Sequence, residues 1–389
     1  AGGCLSVTTV YKYFTLVIRA CNFCLQSKIN PLVGIMKLSD LFSNPIYLAS
    51  FAKSLGSETI GDKRRKQILH ALLRHLNIVG VDVIGYPVVT DVVHHEKITY
   101  NQTPLIPARI YLENISFLTQ RVEFLNQNTS NLEFFIEKFS DVYYGLGRKV
   151  QLRAHRESGT IEYTVRSTFD QAVAECGMDK LFMHSDYRAN GRAKLVGVLN
   201  KIQYEMRSLI HLYTGMRYNE AGRLPYDCLH KHTLDDGVNS PSHSVLANPK
   251  YVQLISTTTK LTGFRKEESW YAPPVVVDAI SILQRIVRGY AAFAQIPFQD
   301  CPLFVSTIRI FNRKKFPADR VEVTLFKSQA KAFENDPRFI ITAEDHEILM
   351  ASDPDRDFSS EEKFQVGKAW PFTSHQYRRS LAFYAANSG

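Results

Sequence analysis

The chain has 389 residues, of which 45% are hydrophobic and 22% charged. That balance excludes a disordered or collagen-like chain and supplies apolar material for the cores of two or three domains. A formal charge of +9 suits a polyanionic partner, either nucleic acid or an acidic surface, and six cysteines at this length do not make a disulfide scaffold.

Residues 5–26 read as one helix, with Val10, Phe14, Val17, Ile18 and Cys21 among its apolar positions. Cys21 and Cys24 form a CxxC, but no second pair at zinc spacing accompanies it, so both are read as buried apolar residues and no metal is expected. Val7–Leu25 is the nearest approach to a membrane span, and Lys12 and Arg19 interrupt it. The chain opens without Met and stops just after a helical stretch, as a fragment would. A short helix is predicted over Pro45–Leu55, then a break at Gly56-Ser57 that offers an N-cap. The next helix runs to about Leu76, with Ile68, Leu69, Leu72, Leu73 and Leu76 on its buried face. Its first half carries Lys63, Arg64, Arg65 and Lys66, which span the helix circumference. They form a solvated face or, in part, contacts to DNA phosphates.

Val79–Val93 reads as a buried strand or an irregular connector, and His94-His95-Glu96 as a loop. Pro104–Pro107 is a break, followed by helices over 108–126 and about 130–144. In the second of these, Phe134-Phe135 and Tyr143-Tyr144 are expected to pack in a core. Gly145–His155 is read as a basic linker that either places Arg148, Lys149 and Arg153 along a phosphate backbone or is a plain flexible hinge. The domain boundary is accordingly expected within 145–180, dividing the chain into 1–150 and 151–389.

Leu195, Leu199, Ile202, Met206 and Leu209 recur at spacings of four and three, the mark of one helical face. Thr214-Gly215 breaks that period, and Arg217 and Glu220 follow at i, i+3, where a carboxylate can hold a guanidinium in place. A polar loop over 230–243 leads to a strand–turn–strand pattern, Tyr251–Lys260 and Glu268–Pro274, turning at Thr262-Gly263. Pro274–Phe293 reads as a helix. Residues 305–371 read as an insertion, acidic over Glu344–Glu362, that forms a lid, a subunit contact or a surface loop. Asp353 and Asp355 flank Pro354 in a turn rather than a metal site. Ser374–Ala386 closes the chain as a helix with His375 and Arg378 at i, i+3.

Thr-Gly-Met-Arg-Tyr-Asn-Glu (214–220), Lys260 on its hairpin and Ser-His-Gln-Tyr-Arg-Arg-Ser-Leu-Ala (374–382), in that order, resemble the catalytic domain of the tyrosine recombinase, or phage-integrase-like, family. The resemblance covers roughly the second half of the chain. It implies a mainly α (α+β) protein: a helical core-binding-like domain, then a helical catalytic domain with a small antiparallel sheet, the pair closing on double-stranded DNA as a clamp. It implies site-specific DNA recombination through a 3′-phosphotyrosyl intermediate, without cofactor or metal, by a homo-oligomer (a tetramer on DNA) in a nucleoid-associated, cytoplasmic setting, with no membrane partner. Carried over position by position, Arg217 and Arg378 clamp the phosphate, Lys260 is the general acid, His375 assists proton transfer, and Glu220 orients Arg217. Lys266 is an alternative to Lys260, and Arg379 to Arg378. The family's nucleophilic Tyr follows the His-x-x-Arg motif at a distance that residues 379–389 do not reach, so it is expected beyond this chain. A DNA-binding protein without a nucleophile and a type IB topoisomerase remain alternative readings.

Overall fold

The structure is a computed structural model and describes residues 7–26, 36–57, 59–91, 93, 102–158, 164–230, 251–258, 265–310, 333 and 336–387. It is mostly helical with one small antiparallel sheet, and it divides into two compact units at Gln102/Thr103. The division falls well before the 145–180 expected from the basic linker. The reason is packing: the helices just after residue 103 are built into the core of the second unit.

The first unit holds α1 (Val7–Gln26), α2 (Leu38–Ser43), α3 (Pro45–Ser54), α4 (Ile60–Val79) and the single turn α5 (Val81–Ile84). Asn44 caps α3 by accepting the amides of Ile46 (2.9 Å) and Tyr47 (3.4 Å), with Pro45 at the first helical position. Thr59, rather than Ser57, caps α4, in a reciprocal pairing with Asp62 (3.1 Å in each direction). The core combines Leu16, Ala20 and Cys24 of α1 with Leu41, Phe51, Leu69 and Leu73. Cys24 is buried as expected and Cys21 half-buried, whereas Phe14 and Ile18 lie on the exposed side of α1. Residues 79–91 form no strand: Gly80, at φ +87°, breaks α4, and the chain continues through α5 into an irregular connector. His94-His95-Glu96 lies outside the described residues.

The second unit holds α6 (Ala108–Asn128), α7 (Leu132–Glu137), α8 (Arg148–Ser158), α9 (Phe169–Glu175), α10 (Asp179–Met183), α11 (Arg192–Thr214) and α12 (Tyr218–Ala221). The sheet follows, with β1 (Leu229–His230), β2 (Val252–Thr258) and β3 (Lys266–Ala272) in the order β1-β2-β3, all antiparallel. Then come α13 (Val275–Ala294), α14 (Ala343–Ser352) and α15 (Ser374–Asn387). The helix expected over 130–144 stops early: α7 runs into a 3-10 turn at Lys138, with Phe135, Phe139 and Tyr144 buried but Phe134 exposed. Gly145 is at φ +76°, where a Cβ would meet the Phe139 ring at 2.6 Å.

α11 is the central helix. Leu195, Leu199, Ile202, Met206 and Leu209 are all fully buried, as the period requires. α6 and α13 pack on it, and α15 crosses it. α13 approaches α7 closely at Gly289, where a Cβ would sit 2.7 Å from the Glu133 carbonyl oxygen. The expected insertion over 305–371 is not a surface loop in its described residues. Phe339, Ile341, Phe358, Phe364, Trp370 and Phe372 are buried in the main core. Backbone bonds Ile341 to Lys368 and Trp370 to Phe339 (both 2.9 Å) close the segment on itself, and Asp345 of α14 pairs with Arg109 of α6. The amide of Arg356 donates to the Asp353 carbonyl (3.0 Å) in a turn around Pro354. Among the described residues, no helix is long and apolar enough to cross a membrane.

Candidate functional site

The geometry starts at the end of α11. Gly215 takes the left-handed conformation at φ +60° and returns its amide to the His211 carbonyl (2.9 Å), which stops the helix. The turn is then held from inside. His211 Nδ1 lies 2.9 Å from the Met216 carbonyl oxygen, so it must carry the proton, and Nε2 accepts from Arg207 Nε at 3.4 Å. Burial, with Arg207 beside it, holds the His211 pKa down at about 3, so the ring is a neutral strut. The Arg207 guanidinium in turn sits 4.0 Å over the Tyr218 ring.

Arg217 follows as the residue that enters α12, and Glu220 is its partner. The Arg217 amide donates to Glu220 Oε2 and its Nη1 to Oε1, both at 2.7 Å. A third donor arrives from the sheet: Thr258 Oγ1 bonds Glu220 Oε1 at 2.8 Å. Burial pushes the Glu220 carboxyl up, but the Arg217 amide, the Arg217 guanidinium and the Thr258 hydroxyl together outweigh it and hold the group below the ordinary carboxylate range. Glu220 is therefore an anion fixed under Arg217, whose own side chain remains 36% exposed.

α15 brings in the second motif. Thr373 and Gln376 cap it reciprocally (2.7 and 3.3 Å). Its inner face is sewn to α6 and the strand of chain before it: Tyr377 Oη accepts from Asn114 Nδ2 (2.8 Å), Ser380 Oγ accepts from the Ile106 amide (2.9 Å), and Tyr384 Oη donates to the Ile106 carbonyl (2.6 Å). On another face Arg378 Nη1 donates to the Gly215 carbonyl oxygen at 2.8 Å, across 163 positions of sequence. The backbone of Gly215 and α15 pass so closely that a Cβ on Gly215 would touch Leu381 at 3.3 Å. The Arg217 turn and the His-x-x-Arg helix thus meet directly.

Arg379, the alternative to Arg378, is turned away and bonds the Thr103 carbonyl. His375 lies one turn before Arg378 and is exposed. Lys260 lies outside the described residues; Lys266, its alternative, is on exposed β3, paired with Glu268 (3.0 Å). Tyr377 and Tyr384 both spend their hydroxyls on protein groups, and burial raises both pKa values. Phe383 is 46% exposed on the outer side of α15.

The basic stretches divide. In α4, Arg65 folds back on Asp62 and the Leu55 carbonyl (3.3 Å), Arg64 is exposed, and Lys63 and Lys66 are half-buried. Residues 148–158 are helix α8, not an extended linker. Among its described side chains only Gln151 is buried, bonding the carbonyls of Leu146 (2.7 Å) and Arg166 (2.9 Å), while Arg148, Lys149 and Arg153 stand in solvent. Arg207, His211, Ser256 and Thr258 were not singled out by sequence. A histidine one turn ahead of the helix-ending glycine was a readable sign of a capping strut; Thr258 depends on a strand register that composition does not give. No family model, curated protein or solved structure matches the chain.

Proposed function

We propose that the chain carries the phosphate-clamping part of a tyrosine-recombinase-type DNA strand-transfer site. One observation carries the reading: Arg378 of α15 bonds the Gly215 carbonyl in the turn that presents Arg217. Two guanidinium groups from distant stretches thereby share one locality, and Glu220 beneath Arg217 offsets their repulsion. Such a pair is suited to the non-bridging oxygens of a phosphodiester without a metal. In this reading His375 assists proton transfer at the phosphate, and Lys260 protonates the leaving 5′-oxygen. The nucleophile is a tyrosine other than Tyr377 and Tyr384, whose hydroxyls are engaged. The first unit is then the core-binding-like domain. The partner is double-stranded DNA, met as a homotetramer in the cytoplasm at the nucleoid, with phosphate contacts from Lys63, Arg64 and Lys66 of α4 and from Arg148, Lys149 and Arg153 of α8.

The test mixes the full-length protein bearing this chain with a labelled duplex library, denatures it, and recovers DNA still attached to protein. A 3′-phosphotyrosyl adduct is expected, and Arg217→Ala or Arg378→Ala should abolish it. Salt-sensitive binding with no adduct would favour a DNA-binding protein without strand transfer. Absence of binding at low salt would sink both.

A further inference from the structure

Glu220 is shared. Of the donors on its carboxylate, two come from Arg217 and the third from Thr258 at the end of β2. A second bond runs between the same elements, from Ser256 Oγ to the Glu220 backbone carbonyl at 2.7 Å. Leu254, Ser256 and Thr258 alternate along β2 and so occupy one face of the strand. Leu254 and Ser256 are buried on that face, and the Ser256 and Thr258 hydroxyls hold the second half of β2 to the Arg217 helical turn. Thr258 opposes Lys266 in the ladder and stands two positions before Lys260 in sequence.

We propose that Thr258 is a positioning residue: its hydroxyl ties the β2–β3 hairpin to Glu220 and, through that one carboxylate, sets the orientation of Arg217. The inference rests on the strand-transfer reading for its consequence but not for its geometry. Oε1 accepts from Thr258 and from Arg217 Nη1 together, so its position satisfies both. Without the hydroxyl the carboxylate is anchored, among the described residues, by Arg217 alone, and the Arg217 side chain is 36% exposed. Carboxylate and guanidinium can then move as a pair away from the position the strand imposes. Displacement of the hairpin reaches Arg217 by the same route, so engagement of the hairpin and alignment of the clamp become one event.

The test compares Thr258→Val, which keeps the shape and removes the hydroxyl, with Thr258→Ser, which keeps the hydroxyl; Thr258→Ala replaces the valine variant should that one fail to fold. In the 389-residue chain, carboxyl carbons of labelled glutamate are titrated by NMR, with Glu220→Gln assigning the signal. Loss of the hydroxyl should raise the Glu220 titration point, and Thr258→Ser should leave it at the wild-type position. In the full-length protein, adduct formation should fall roughly tenfold to a hundredfold in Thr258→Val at unchanged DNA affinity, and Thr258→Ser should restore it. An unmoved Glu220 signal in Thr258→Val overturns the proposal, as does a serine variant as damaged as the valine one. Full adduct formation by Thr258→Val while Arg217→Ala forms none overturns Thr258 and leaves the strand-transfer reading standing. Full adduct formation by Arg217→Ala overturns that reading itself.

Discussion

Replacing Glu205 by Gln is expected to stabilise the second unit near neutral pH and to expose an opposing titration now hidden beneath it. Glu205 lies inside α11 with no exposed surface. Tyr187 Oη donates to its Oε2 at 2.6 Å, but among the described residues Oε1 has no hydrogen-bond partner, since Lys201 Nζ stands 3.9 Å away and is drawn to Asp186 at 3.1 Å. Burial raises the carboxyl to about 7, with Tyr187, Lys201 and Arg121 only partly countering it and Asp186 adding to it. A raised carboxyl favours folding while protonated. Its contribution is full below pH 4.5 and is lost as pH climbs through 7, a swing of about 3 kcal/mol. His211 has the opposite sign. Its pKa, lowered from 6.5 to about 3, gives stability present above pH 6.5 and lost as pH falls. Between pH 4.5 and 6.5 the folded state keeps a proton on Glu205 and refuses one on His211, so the two slopes cancel.

Urea unfolding followed by tryptophan emission reads this directly, because both tryptophans of the chain, Trp270 and Trp370, belong to the second unit. The wild type should be nearly flat across that window. Glu205→Gln keeps an acceptor for Tyr187 and cannot ionise, so its stability should rise with pH by roughly 1.4 kcal/mol per unit. Near pH 8 it should exceed the wild type by up to ~3 kcal/mol. A variant as flat as the wild type, or one less stable near pH 8, would refute the buried-carboxylate argument.

Gly289→Ala should cost about 1–3 kcal/mol, read as a lower thermal midpoint, because the added methyl meets the backbone of Glu133 and forces α13 from α7. Asp345→Ala should cost about 1–2 kcal/mol by uncapping α14 at Thr342 and removing the ion pair of Arg109, which keeps its bonds to the Arg338 and Ile340 carbonyls; burial raises that carboxyl, but Arg109 and Thr342 hold it below its ordinary value, so its stabilisation is present above pH 3.8 and fades as acid is added. Replacing Arg148, Lys149 and Arg153 together by Ala should leave folding intact and cut the logarithmic salt dependence of duplex binding, measured by anisotropy, by about 2 to 3. An unchanged slope would remove α8 from the DNA interface.

What the sequence made legible, and what it did not, divides along a physical line. α11 was readable because five large apolar residues at helical spacing admit one face, and all five are buried. Strands β2 and β3 and the α15 helix followed from local pattern in the same way, while the turn expected at Thr262-Gly263 lies outside the described residues. The part of the second-unit core that comes after residue 305 was not readable. Phe339, Phe358, Phe364 and Trp370 are spread among acids and prolines without a period, and only the tertiary ring contacts, such as Phe339 with Phe117 at 5.5 Å, place them inside. The charged composition of α8 reads as a linker. A polar helix can nonetheless stand when one buried glutamine satisfies the backbone on either side of it. At the candidate site Arg217, Glu220 and Arg378 were legible as i, i+3 patterns, whereas Thr258 needed the register of β2 against α12.

His211 of α11 and Glu220 of α12 follow from one requirement. Holding Arg217 part-exposed at this point means ending a buried helix in a left-handed turn, and that leaves carbonyls such as those of Gly215 and Met216 in need of donors. A water-filled turn would satisfy them but would let the guanidinium drift. Here each is met by protein: Met216 by a neutral His211, Gly215 by Arg378 itself. The second of these has a consequence for binding. Arg378 already uses Nη1 on the turn that carries Arg217, so an anion arriving at Arg378 meets a side chain whose direction is fixed by the other motif. The charge that would otherwise push the two arginines apart is balanced on Arg217 by Glu220 and spread on Arg378 over a backbone oxygen. Under the proposed strand-transfer reading, a pair held in this way needs little further ordering when a phosphate enters.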